Sequence, residues 1–159
     1  IDIPDDENAK STVLTSCQID ISFVVYDAIT LAVNGYGLLT KNNKKAAIAV
    51  GEAALPVMSS IETIIRDMTA PGSNSLTQAE GIFKILDTIY KGQLLGAVFS
   101  AYTDSLTWWD FVFYSISGTG TVIAALATDG IAIAAEWAVV IADVGFLGSD
   151  IEKVVENCG

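Results

Sequence analysis

Four carboxylates toward the C-terminus recur every seven residues: Asp129, Glu136, Asp143 and Asp150. Seven helical steps of about 100° drift by only about 20°, so on an α-helix these acids form one narrow stripe. Two carboxyls flanking a bond are what glycoside hydrolysis needs. Here they run down one face with no substrate pocket evident around them, and the stripe reads as a solvated seam. The chain has no histidine, which removes Ser-His-Asp and Cys-His nucleophile systems and most transition-metal sites. No phosphate-binding P-loop, no dinucleotide fingerprint and no zinc-protease motif occurs; Gly118-Thr119-Gly120 is a two-glycine fragment of a phosphate motif without the rest. The reading is therefore non-enzymatic, with no catalytic residue, no cofactor and no metal.

The remaining reactive groups are two thiols, Cys17 and Cys158. Paired, they tie the last residues to the first helix, and a closure this long is worth at most about 4–5 kcal/mol in the chain-entropy treatment. Pairing implies an oxidising compartment. The alternative is two independent free thiols in a cytosolic protein. A sequence opening on Ile1 rather than Met, without a hydrophobic leader of its own, reads as the mature form of a secreted protein. No Asn-X-Ser/Thr acceptor is present to add support.

The acidic stripe needs a helix, and residues 121–144 are expected to supply it. Apart from the acids this stretch is almost wholly Ile, Val, Ala and Trp. A helix apolar nearly all round is buried nearly all round. It is expected to be the centre of a bundle, reaching solvent only along its carboxylates; two shorter helices broken at Thr128-Asp129-Gly130 are the alternative. A membrane span fits poorly. Each carboxylate at a bilayer centre costs roughly 2.5–3.5 kcal/mol, and no Lys or Arg closely flanks the segment.

Composition agrees with a core-rich bundle. Hydrophobic residues make up 52% of the 159 and charged ones 17%, the reverse of a disordered chain. The net charge of −11 disfavours nucleic acid and anionic membrane surfaces as partners. Lys41, Lys44 and Lys45 form the only basic cluster and read as a solvated helix start. Residues 1–10 read as a flexible acidic lead-in, and 11–159 as one domain. Within it, Ser11 or Thr15 caps a first helix that ends at Asn34-Gly35-Tyr36-Gly37. A second helix runs from about Lys44 to Met68, bent or interrupted before Pro56. Ser75-Leu76-Thr77-Gln78 fits a capping box opening a third, Gly92 ends or thins it, and Gln93 to Tyr102 continue a helical pattern. Ser149 and Glu152 fit a second capping box, opening a short terminal helix. The fold class expected is all-α, a five- to six-helix bundle around a buried apolar C-terminal helix.

The small residues of that helix permit either close packing or a hollow, and hollows between helices are where bundles hold apolar ligands. The lining candidates are Leu55, Met58, Ile61 and Ile65 on the second helix, Ile82 and Ile89 on the third, and Leu126 and Trp137 on the 121–144 helix. Tyr26, Ser59, Ser60 and Gln78 offer hydrogen bonds to a polar head group, and Arg66 offers a charge. A fatty acid would gain about 0.8 kcal/mol per buried methylene.

Four stretches carry a family resemblance: Ile19-Asp20-Ile21, Ala28 to Tyr36 (AITLAVNGY), Ala54-Leu55-Pro56 with Ile61-Glu62-Thr63-Ile64, and Ser75 to Glu80 (SLTQAE). Together they resemble the fungal hydrophobic-surface-binding protein and cell-wall galactomannoprotein family. Gly37-Leu38-Leu39 follows Tyr36 with one residue fewer than that family's middle segment, and the aromatic run Trp108 to Tyr114 and the two cysteines depart from its pattern. The resemblance implies a secreted helical bundle, in some members of the cell wall, that adsorbs to hydrophobic surfaces or holds fatty acids in an apolar tunnel. A second expectation belongs to another class. In a membrane-active or pore-forming protein the segment 121–144 is released to insert, aided by neutralisation of Asp129, Glu136 and Asp143 at low pH. A structural bundle that binds a protein partner is the residual reading.

Overall fold

The structure is a computed structural model that describes residues 10–34, 44–104, 135, 137–139, 141–142 and 146–158. Every regular element among them is helical, so the chain is all-α as expected. The elements are α1 (Ser16–Asn34), α2 (Lys44–Ala53), a 3-10 turn (Leu55–Val57), α3 (Met58–Met68), α4 (Ser75–Lys91), α5 (Leu95–Asp104) and α6 (Phe146–Cys158). They pack as a bundle in which α1 lies against α2, α3, α4 and α6.

α1 opens with a reciprocal cap. The Gln18 backbone N–H donates to Thr15 Oγ1 at 3.2 Å, and the Thr15 N–H donates to Gln18 Oε1 at 3.0 Å, which satisfies two of the donors a helix start leaves orphaned. Ser11, the other cap candidate, instead folds the preceding turn by accepting from the N–H groups of Val13 and Leu14. From Ile21 to Leu31 every residue but Phe23 is buried, and Phe23 is half-buried. Several of these residues are β-branched and lose some rotamer freedom in a helix. Burial against four neighbouring helices outweighs that small local preference.

Pro56 interrupts the second helix where its missing donor requires. α2 ends at Ala53, Leu55–Val57 forms the 3-10 turn with Pro56 inside it, and α3 resumes at Met58. The two helical stretches are bent by 69°. No described helix is long and apolar enough to cross a membrane by itself. α3 then buries Met58, Ile61, Ile65 and Met68, a stripe at helical spacing. It packs on α4, which buries Ala79, Gly81, Ile82, Ile85, Leu86 and Ile89. The α4 cap is Asn74, whose Oδ1 accepts from the Thr77 N–H at 3.1 Å. Ser75, expected in that role, is the first helical residue, because Asn74 supplies the acceptor one position earlier.

α4 ends in a left-handed cap carried by a residue other than glycine. Gly92 keeps helical geometry and Gln93 takes φ +61°. The Gln93 and Leu94 N–H groups then reach back to the carbonyls of Tyr90 and Ile89, the paired bonds of a Schellman end.

Two expectations about the C-terminal region need correction. α6 is already helical at Phe146, so Ser149 lies inside it and does not cap it. Starting earlier lets α6 present Asp150, Ile151 and Val154, all buried, to the bundle. Asp150, expected on a solvated seam, is 2% exposed because this face of α6 packs on α1. Asp129, Glu136, Asp143 and the 108–114 aromatic run lie outside the described residues. Within the expected central segment Trp137 and Ile141 are buried, while Ala135, Val139 and Ala142 are exposed.

Two substitutions test this packing in opposite directions. A Cβ on Gly51 would stand 2.5 Å from the Ser22 Cβ on α1, so Gly51→Ala should lower the unfolding free energy by about 1–3 kcal/mol. Gln93→Gly should raise it by up to about 1 kcal/mol by relieving the left-handed conformation. Urea unfolding followed by circular dichroism reads both.

Candidate functional site

The apolar candidates converge. Met58, Ile61 and Ile65 of α3, Ile82 and Ile89 of α4, and Trp137 belong to one continuous hydrophobic core, with Leu55 half-buried against it. Leu126 lies outside the described residues. Helical spacing on α3 and α4 puts these side chains on one face of each helix, and that is the signal by which the sequence revealed them.

The polar candidates scatter. Ser59 and Ser60 are exposed at the start of α3, and Gln78 is half-buried in the first turn of α4. Tyr26 is buried on α1, its ring 5.4 Å from that of Tyr102 on α5. Arg66 is exposed and already engaged. Its Nε lies 3.4 Å from Glu62 Oε2, and its Nη2 donates to the Cys158 carbonyl at 2.9 Å. That last bond satisfies a carbonyl at the C-terminal end of α6. Arg66 thus fastens α3 to α6, and the five polar candidates form no single head-group site.

The same corner holds the cysteines. Cys17 and Cys158 are disulfide-bonded, with Cα atoms 5.0 Å apart. Glu62 Oε1 lies 3.5 Å from the Cys17 sulfur, and the ligand atoms of Cys17, Glu62 and Cys158 all lie within 4.8 Å of one another. Joined sulfurs carry no thiolate, and thiolate is the ligand form of cysteine. Asn157, next to Cys158, donates to Asp20 of α1. The disulfide, the Arg66 bond and the Asn157 bond together pin the end of α6 to α1 and α3.

A shallower feature lies on the outside. A cleft of about 140 Å³ between α3 and α4 is lined by Ile64, Asp67, Met68, Thr77, Glu80, Gly81 and Lys84. It falls below the roughly 300–1,000 Å³ of small-molecule pockets. Its three charged walls do not suit an acyl chain.

The sequence reading missed a polar group inside the core. Ser22, Asp27 and Thr30 of α1 and Asp150 of α6 are all buried. Ser22 Oγ donates to the Gln18 carbonyl at 2.7 Å. Thr30 Oγ1 donates to the Tyr26 carbonyl at 2.9 Å and lies 3.1 Å from the Tyr102 hydroxyl. Asp27 faces Asp150. Burial holds its carboxyl well above the usual carboxylate range, the hydrogen bond and the negative charge of Asp150 push it further up, and Lys153 draws it partly back. The available signal was a lone acid between Val24-Val25-Tyr26 and Ala28-Ile29, at a spacing that puts it on the apolar side of its helix.

No family model matches the chain, and neither the curated proteins nor the solved structures yield a match.

The corner around Cys158 gives a direct prediction. The bridge spans a separation of 141 residues, so Cys17→Ser with Cys158→Ser, or reduction of the native chain, should lower the unfolding free energy by about 2–5 kcal/mol. Calorimetry of the oxidised and reduced protein reads the difference.

Proposed function

We propose that this chain is a secreted, non-catalytic helical protein that binds fatty acids or presents itself to hydrophobic surfaces, related to the fungal cell-wall family that its motifs resemble. The observation that carries this reading is the convergence of the nominated apolar side chains of α3 and α4 with Trp137 in one core. That core belongs to a chain with 52% hydrophobic residues and only 17% charged ones. The disulfide supports an extracellular setting, where such bonds persist.

The geometry also suggests how a ligand is admitted. The side chains of α3 and α4 that face the core are aliphatic or thioether groups, and Met58 and Met68 are the most adaptable among them. An acyl chain enters by parting α3 and α4 at the core they share, exchanging side-chain contacts for methylene contacts of similar worth. The gain of about 0.8 kcal/mol per methylene supports micromolar or tighter binding after the costs of association. The carboxylate stays at the rim, since no cation is buried among the described residues.

Protein produced in a secretory host, examined by native mass spectrometry and by lipid extraction, should carry an acyl chain. The delipidated protein should take one up on titration with a fluorescent fatty acid at micromolar concentration. Bare protein with no uptake overturns the reading, and leakage of liposomes without saturable uptake transfers it to the membrane-active class.

A further inference from the structure

Two acids stand against each other across a helix interface from which water is excluded. Asp27 on α1 and Asp150 on α6 are each 2% exposed, and α1 and α6 pack directly on one another. Taken as a carboxylate, Asp27 has no hydrogen-bond donor for either oxygen among the described residues. A buried acceptor left in that condition costs about 1–3 kcal/mol, and more when it is charged. Two like charges at such a place oppose each other with little solvent screening. A single proton removes both problems. It cancels one charge and supplies the missing donor, leaving an O–H···O⁻ bond, which is shorter and stronger than a neutral one.

We infer that Asp27 and Asp150 share one proton in the folded chain and act as a pH-sensitive clasp between α1 and α6, firm in mildly acidic surroundings and loosened as pH rises.

The surroundings favour a pair holding one proton over a pair holding none. Among the described residues, the charges acting on the Asp27 carboxyl are those of Asp150 and, opposing it, Lys153, both on α6. Lys153 sits one turn beyond Asp150 and is exposed, so it suits one residual negative charge and is too well solvated to balance two. The other charged groups on the packed helices have different engagements. On α1, Asp20 takes the Asn157 amide. On α2, Glu52 accepts from Ser11, and Lys44 and Lys45 open the helix. On α3 Glu62 pairs with Arg66, and on α4 Asp87 pairs with Lys91. Asp67, Glu80 and Lys84 line the outer cleft. Glu152 and Glu156 of α6 are exposed.

The direction of the effect follows from proton counting. In the unfolded chain Asp27 titrates near the ordinary aspartate value, about 3.9. In the folded chain it keeps its proton to higher pH. Between those limits the folded state binds more protons than the unfolded one, so stability falls as pH rises. The contribution is complete below the ordinary value and lost once pH has passed the folded one. This is the reverse of the usual carboxylate, whose loss of charge drives acid unfolding. It also runs against release of the bundle by acid, the trigger expected of a pore former.

Urea unfolding of the native chain and of Asp27→Asn between pH 4 and pH 8 tests the clasp. Asparagine keeps the shape and can donate to Asp150, as a protonated acid does. The native midpoint should fall with rising pH more steeply than that of Asp27→Asn, and the variant should gain on the native chain toward pH 8. The −11 net charge affects both proteins nearly alike, so the difference in slope isolates the pair. Equal slopes overturn the inference. Should Asp27→Asn fail to fold, the ¹³Cγ shift of Asp27 in the native protein gives the answer. A carboxyl still protonated well above pH 4 sustains the clasp, and a midpoint at or below 4 overturns it.

Discussion

α1 is enclosed along Ile21 to Leu31, so every polar group it brings inward must be answered from inside the protein. Ser22 answers itself by bonding back one turn, to Gln18. Thr30 does the same and adds the Tyr102 hydroxyl of α5. Asp27 has no local solution, because a carboxylate cannot donate to the helix carbonyls around it. It requires a partner on another helix, and α6 delivers Asp150. α6, packed on α1, thus buries Ile151 and Val154 beside an acid that needs an answer.

The rest of α6 is fastened around that contact. Its last turn is tied by the disulfide to the first turn of α1, by Asn157 to Asp20, and by Arg66 to α3. One helix closes the chain on two others with covalent, polar and apolar links within about three turns. α3 and α4 are held chiefly by aliphatic stripes, with exposed ion pairs that contribute only about 0–1 kcal/mol each. The fastened contacts thus gather at the end of α6 against α1 and α3, and the contact between α3 and α4 is more purely apolar.

Much of this was legible in residue spacing. The stripes Met58-Ile61-Ile65 and Ile82-Ile89 follow from the 3.6-residue period, the break at Pro56 from its missing donor, and the joining of Cys17 to Cys158 from their being the only two thiols. The failures have a common source. The seven-residue recurrence of acids invited a single solvated stripe, yet periodicity gives a face and not what lies opposite it. Asp150 faces α1, a contact more than a hundred residues away in sequence, and no local pattern announces it. The cap of α4 was displaced by one residue because Asn74 and Ser75 are both competent acceptors, and only the backbone angles decide between them. Ser59, Ser60 and Arg66 stand out by chemistry alone, and chemistry without a neighbouring apolar face does not place them together.

α1 is the spine on which the other described helices are assembled. Native-state hydrogen exchange measures this directly, because amides in the most enclosed element exchange only when the whole domain opens. The backbone amides from Ile21 to Leu31 should be the slowest in the chain, exchanging at the free energy of global unfolding, with those of α6 near Asp150 close behind. If α1 exchanges as fast as α5, or if residues 121–144 outlast it, the spine lies elsewhere and the account is contradicted.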